Sequence, residues 1–479
     1  IDRTRTFGTR SVIGLNSFLG RLTYAYRGKY LFSGSFRKDG SSYFGAGNRW
    51  GSFPALSAGW VVSKEKLLRD VKWLDNLKFR ASYGASGNNR IIENAWINLL
   101  YGSNYPFGVA TGSSNPGLIA SASTLANPDI TWERTFQKNL GMDLSILKNR
   151  ITLSVDLYDS RTEKLLLLQS IMGFTGAQQY WNNLGSLKNR GYEIDLSTKN
   201  VQTKHFKWTT SANLSRNQNQ ILELGTEAYL LNQGERSEVY RNQVGRPLVE
   251  YLGFKTDGVW MSQAEIDAAR AKGLTSTLAS VFTPGGLKLV DVNGDNKLDN
   301  SDRVILGNPY PAFIWGITNN LSYKGLELTF FFQGSQGGKL INGDPNYNES
   351  GRTITTYNGD RWVSAMFPGD GRTPVSRGTG FNWMLTDYVM EDASYWSLRE
   401  VNLSYTFSNR NILKKLKLNG LRGYVAAQNL FFFMPESYRS LNPEARFQNG
   451  PYSSVLIDGY QRGTFPIPQT FVVGVDVNF

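Results

Sequence analysis

Apolar and polar residues alternate along this chain with a period of two, while the three- and four-residue spacing of an amphipathic helix appears only in short windows. Tyr192, Ile194 and Leu196 interleave with Glu193, Asp195 and Ser197; Leu326, Leu328, Phe330 and Phe332 interleave with Glu327, Thr329 and Gln333. On a strand, such alternation sends apolar side chains to one face and polar ones to the other. The pattern predicts thirteen strands, over 17–26, 30–38, 54–63, 77–86, 135–147, 151–162, 190–199, 206–220, 312–323, 326–334, 395–407, 420–430 and 470–479. Each has about ten residues, the length a tilted strand needs to cross a bilayer's hydrocarbon.

A soluble β-sandwich with one wet face permits the same alternation. Connection lengths separate the two. Links at 27–29, 148–150, 200–205 and 324–325 are short and those at 64–76 and 408–419 moderate, while 39–53, 87–134, 163–189, 221–311, 335–394 and 431–469 are longer, and the two kinds alternate along the chain. An outer-membrane barrel has short periplasmic turns and longer extracellular loops, and a sandwich has no reason to keep that parity. The expected fold is therefore all-β, an antiparallel transmembrane β-barrel with long extracellular loops. No stretch approaches the roughly 18 apolar residues of a membrane helix. The mean hydropathy of −0.35 is uninformative, since lipid-facing and lumen-facing residues average out. One helix is expected, inside the large 221–311 loop: Ser262 caps it, Glu265 completes a capping box, and Gly273 ends it.

Parity also predicts a chain that continues upstream. First and last strands run the same way and cannot pair, so an odd number of strands is expected before Ile1. The opening Ile1-Asp2-Arg3 carries no signal peptide, which for such a protein implies missing upstream sequence. At the other end Phe471, Val473, Val475, Val477 and Phe479 alternate with Gly474, Asp476 and Asn478 up to the final residue. They form a candidate signal for the barrel-assembly machinery; an ordinary last strand is the alternative.

Composition removes most chemistry. There is no cysteine among the 479 residues and a single histidine, His205, in a turn, so no enzymatic centre is expected. The net charge of +13 is spread over turns and loops rather than gathered in one tract. A solvated surface comes first, lipid phosphates of the outer leaflet second, and nucleic acid is not expected. The sharpest local motif runs from Asp291 to Asp302. Asp291, Asn293, Asp295, Asp299 and Asp302 offer side-chain oxygens and Lys297 a carbonyl at the spacing of an EF-hand-like calcium loop. Asn296 replaces the usual glycine and Asp302 the longer glutamate, so a metal-free Asx-turn loop is the alternative. In either case the loop stiffens rather than catalyses. Gly378-Thr379-Gly380 begins a phosphate-loop pattern that Trp383 does not complete. Loop aromatics such as Tyr101, Tyr105, Phe107, Tyr180, Trp181, Tyr347, Tyr357, Trp362, Trp383, Tyr438 and Tyr452 suit interfacial girdles and loop packing first, and contact with a sugar or peptide second.

Several stretches resemble one family in order and spacing. They include Ser17-Phe18-Leu19-Gly20-Arg21-Leu22-Thr23-Tyr24 with Lys29-Tyr30-Leu31, Arg37-Lys38-Asp39-Gly40-Ser41-Ser42-Tyr43-Phe44-Gly45, and Phe53-Pro54-Ala55-Leu56-Ser57-Ala58-Gly59-Trp60. Leu77-Lys78-Phe79-Arg80-Ala81-Ser82-Tyr83-Gly84, Asn127-Pro128-Asp129-Ile130-Thr131-Trp132-Glu133, Asn189-Arg190-Gly191-Tyr192-Glu193-Ile194, Gln428-Asn429-Leu430-Phe431 and Asn442-Pro443-Glu444 continue it. Together they resemble the SusC/RagA-like branch of TonB-dependent outer-membrane transporters. The resemblance implies a barrel of about 22 strands around an N-terminal plug. Residues 1–479 would be its C-terminal barrel portion, with the plug absent. It further implies TonB-dependent import of an oligosaccharide or peptide with a SusD-like surface lipoprotein. A passive porin, an export or assembly barrel, and a cell-surface glycan-binding β-protein are the alternatives.

Overall fold

The computed structural model of the chain describes residues 12–98, 100–106, 114–120, 124–172, 177–225, 227–235, 237–343, 361–375, 384–407, 413 and 417–479. Its long strands are β1 Leu15–Tyr26, β2 Tyr30–Ser41, β3 Trp50–Val61, β4 Leu74–Asn88, β5 Glu133–Ile146, β6 Ile151–Glu163, β7 Ser186–Gln202 and β8 Phe206–Glu223. They continue as β9 Phe313–Tyr323, β10 Leu326–Gln336, β11 Tyr395–Thr406, β12 Gly420–Phe433 and β13 Thr470–Asn478. Ladder hydrogen bonds set the thirteen in sequence order, β1 through β13. The β1–β2, β2–β3 and β3–β4 ladders are antiparallel, as are all those from β8–β9 to β12–β13.

Each strand read from the sequence is present, and most run a few residues further than the alternation indicated. β4 begins at Leu74 instead of 77, and β7 spans Ser186–Gln202 instead of 190–199. Alternation marks only the stretch where one face needs apolar cover; the hydrogen-bonded ladder continues where both faces are polar. The hairpin turns explain the parity of the links. Arg27 and Gly28 have φ of 52° and 60°, and Lys324 and Gly325 have 49° and 90°. Turns with two positive-φ residues match the right-handed twist of the strands they join.

The chain divides into two compact units. The first comprises Ile1–Leu144, Asp156–Arg190 and Ile221–Glu227. One face of its strands carries bare apolar side chains: Leu22 is 76% exposed and Leu56 66%, and Tyr83 stacks on Phe136 at 6.4 Å. The opposite face is charged. Arg80 donates to both oxygens of Asp143 (3.0 and 2.9 Å) and both of Asp156 (2.9 and 2.8 Å). Gly141 makes room for this guanidinium, since a Cβ there would lie 2.7 Å from the Arg80 Cζ. Phe53 of β3 joins Phe44, Ile130, Trp132 and Leu166 from the connecting segments in a small dry core. Trp132 Nε1 anchors it by donating to the Arg49 carbonyl at 2.9 Å.

The second unit comprises Ser145–Val155, Gly191–Gln220 and Ala228–Phe479. Its strands again expose apolar residues: Val473 is 78% exposed. β11 contains a bulge. Glu400 pairs with Phe331 of β10 and Leu398 with Phe332, leaving Arg399 as an extra residue. Between β8 and β9 the chain builds an antiparallel sheet of 229–233, 239–243, 250–253 and 304–307. The helix Gln263–Ala271 follows the expected stops: Ser262 Oγ accepts the Glu265 N–H at 3.3 Å, and Gly273 (φ 98°) closes the end. Glu265 departs from the expected capping box, because its carboxylate accepts the Met261 N–H at 2.9 Å, one residue before the cap. Among the described residues no helix is long and apolar enough to cross a membrane.

Candidate functional site

The Asp291–Asp302 loop folds around its own carboxylates. Asp291 accepts the N–H groups of Gly294 and Asn296, both at 2.8 Å; Asn293 accepts from Asp295 at 3.0 Å, and Asp295 from Lys297 at 2.8 Å. The buried Asp302 closes the loop by accepting from Val292 and Asp299, each at 2.9 Å. Asn296 holds the left-handed conformation at φ 61° that the EF-hand glycine usually takes, which asparagine tolerates better than most residues. Lys297 Nζ lies 2.7 Å from Asp299, and with the Ser301 N–H it lowers the Asp299 carboxyl to about 2. Among the described residues no three acidic or histidine side chains converge to hold a metal ion. Calcium would therefore have to draw on Asn293 and the Lys297 carbonyl as well. These hydrogen bonds are those of successive Asx turns, and they rigidify the loop by themselves.

The same unit buries a core made largely of tyrosine. Tyr240, Tyr251, Tyr452 and Tyr460 meet Val249, Ile341, Leu385 and Val389 away from water. Tyr452 stacks on Tyr460 at 4.6 Å, and the Tyr251 hydroxyl donates to the Lys339 carbonyl at 2.9 Å. Tyr452 also donates to the buried Glu238; burial first and then this carboxylate push its hydroxyl pKa far up. Two further buried acids tie separate segments together. Glu250 holds Arg246 at 2.6 Å and Arg241 at 3.1 Å, and Glu391 holds Arg439 at 3.0 Å and Asn342 at 3.0 Å. Sequence reading missed these acids. Glu391 and Arg439 lie far apart in the chain, and no local pattern pairs them.

The bulge in β11 makes the third arrangement. It turns the Arg399 guanidinium over the Phe432 ring at 4.8 Å and onto Glu444, which also accepts from Tyr395. Arg399 also donates to Asn429 Oδ1 at 3.2 Å, so two stretches singled out in the sequence, 428–431 and 442–444, meet through a residue that was read as ordinary strand. Bulges re-aim side chains in this way beside functional surfaces. Tyr395 and Glu444 border a cavity of about 190 Å³ that Pro309, Pro443 and Arg446 also line. Of the loop aromatics, Tyr452 is core, and Trp362 is held by a 3.0 Å hydrogen bond from its Nε1 to the Met261 carbonyl. Phe107, Tyr347, Tyr357 and Trp383 lie outside the described residues, as does Gly378-Thr379-Gly380. On β13, Phe471, Val473 and Val475 point away from the protein, and Phe479 follows the strand fully exposed.

Long antiparallel strands that in each unit bare apolar residues to the surroundings, with charges on the opposite face of those in the first, narrow the possibilities to membrane barrels. The family model for TonB dependent receptor-like β-barrels matches residues 2–303. The chain belongs to the TonB-dependent receptor family. That family consists of outer-membrane proteins that cross by strands, and it is a transporter and receptor family, not an enzyme family. Across its whole length the chain is 33% identical to TonB-dependent receptor P26 of Formosa agariphila, covering 48% of that protein. It is 28% identical over 99% of its length to TonB-dependent receptor SusC of Bacteroides thetaiotaomicron, covering 44% of it. The RagAB peptide importer in its "open-open" state superposes with a TM-score of 0.78 at 22% identity, over 98% of this chain and 47% of that one. The SusC/RagA-like resemblance read from the motifs is thus matched in sequence and in fold. The chain spans about half the length of the curated relatives it matches.

Proposed function

We propose that the protein to which this chain contributes imports an oligosaccharide or a peptide actively across the outer membrane, driven by TonB through an N-terminal plug. Residues 224–312 and 434–469 supply external loops that seat a SusD-like lipoprotein. Membership in the TonB-dependent receptor family and likeness to SusC and to the RagAB peptide importer support this reading. The observation that carries it is the rigid, dry-cored loop assembly of the second unit. A partner that closes a barrel from outside needs a preorganised surface, because ordering loops at the moment of docking costs affinity. A passive porin has no such need.

Uptake of labelled maltooligosaccharides and mixed oligopeptides by cells carrying the full-length protein tests this. Saturable uptake of one class, lost on deletion of TonB, is expected. Uptake that rises linearly with concentration and ignores TonB would establish the porin instead. The Asp291–Asp302 loop serves in this scheme as a stiffener, with calcium as its candidate occupant. Calorimetric titration with calcium should release heat from the wild type and much less from Asp291→Asn; no heat from the wild type, or equal heat from both, would reduce the loop to its Asx turns. The terminal Phe479 acts with Phe471, Val473, Val475 and Val477 as the assembly signal. Removal of Phe479 should lower surface levels severalfold, and unchanged levels would take that role away.

A further inference from the structure

The cations of the short turns stand in unusual backbone positions. Arg27, Lys148 and Lys324 have φ of 52°, 59° and 49°. Glycine and asparagine fill such left-handed turn positions with least strain, and long side chains do so rarely. Each of the three turns thus places a cation at such a position, in one case between Leu147 and Asn149, which share it. Such departures are expected where a side chain is needed for something other than folding.

The placement of these cations fits one kind of partner. In the first unit, the Arg27 guanidinium lies 5.1 Å over the ring of Tyr26, the last residue of β1. In the second unit, the Lys324 Nζ lies 5.3 Å from the ring of Tyr323, the last residue of β9, and Lys148, Arg150 and Lys204 are exposed in neighbouring turns. Among the described residues no carboxylate pairs with Arg27, Lys148 or Lys324. Tyrosines at strand ends mark the level of the headgroups, and a cation one residue further is set to reach a lipid phosphate. The two longest connections have the opposite balance: in 224–312 and 335–394 acidic residues outnumber basic ones. The excess positive charge of the chain is therefore not a uniform coat.

We propose that the short turns bind the phosphates of anionic phospholipids in the inner leaflet of the outer membrane. This rests on the barrel reading, in which short turns face the periplasm. The test uses the full-length protein in nanodiscs of mixed phosphatidylglycerol and phosphatidylcholine, with the lipids retained after delipidating washes measured by mass spectrometry. Wild type should retain phosphatidylglycerol preferentially, and salt should weaken the preference. The triple variant Arg27→Asn, Lys148→Asn, Lys324→Asn, whose asparagines suit the turns, should lose roughly fivefold of the preference for each cation removed. Heat-modifiable gel migration verifies that it is folded. A Lys255→Asn, Lys272→Asn variant of the long loop should retain the wild-type preference. No preference in wild type, equal preference in the triple variant, or equal loss in the loop variant overturns the proposal. Failure here with TonB-dependent uptake intact leaves the transport reading standing; lipid preference without such uptake removes the transport reading alone.

Discussion

The strand wall and the loop assembly bury opposite things. On the wall, Leu22, Leu56 and Val473 stand bare while Arg80, Asp143 and Asp156 turn inward; in the loops, Tyr240, Tyr251 and Tyr460 are sealed from solvent. A water-soluble protein would hide the first set and leave loops thinly packed. The wall is stable only where hydrocarbon replaces water, whereas the loops carry their own core and need no lipid. Two solvents have therefore shaped a single chain, and the loops behave as a folded module with a core of their own.

Disrupting one region at a time should separate them. Tyr251→Ala removes a fully buried ring and its hydrogen bond to Lys339, and should cost the loop module about 4 kcal/mol. Proteolysis between β8 and β9 should accelerate while heat-modifiable migration of the barrel persists; loss of both together would show that wall and loops fold as one. Leu56→Arg places a charge on the lipid face and should cost about 3 kcal/mol in bilayers, against little in a soluble sheet. Reversible unfolding from vesicles measures it, and a neutral result would remove lipid from that face.

The smallest effect concerns the turn side of the first unit. Glu65 accepts from Lys29 Nζ at 2.9 Å, Tyr30 at 2.9 Å and Trp60 Nε1 at 3.2 Å, and these bonds, led by Lys29, lower its carboxyl to about 2. A depressed carboxyl pKa contributes stability that is fully present above its unfolded value of 4.5 and is lost as pH falls toward 2. Wild type should thus exceed Glu65→Gln in stability at neutral pH, with the gap closing across that acid range. A gap independent of pH would assign the clamp to shape rather than charge.

Much of the wall was legible in the sequence because one physical rule governs each strand. Lipid on one face and water on the other repeat every second residue, and turn chemistry at Arg27-Gly28 and Lys324-Gly325 punctuates them. The helix was legible through Ser262 and Gly273. The loop module was not. Its core joins Tyr240, Ile341 and Tyr460 across more than two hundred residues, and nothing local marks Glu250 and Glu391 as the buried acids that hold Arg241 and Arg439. The Asp291–Asp302 spacing offered two readings, a calcium loop and a run of Asx turns, and the backbone N–H groups that Asp291 and Asp302 accept are those of the second.

The extra residue at Arg399 shifts the phase of its strand. Before it Trp396 and Leu398 share the outer face; after it Val401, Leu403 and Tyr405 do, while β10 keeps Leu326, Leu328, Phe330 and Phe332 in unbroken step beside them. Even-numbered positions thus hand the membrane side to odd-numbered ones at a single joint. Deleting that one residue would leave Trp396, Leu398, Val401, Leu403 and Tyr405 together on one side of a plain zigzag, whereas straightening the strand with Arg399 kept would make the greasy and wettable sides of half of it change places.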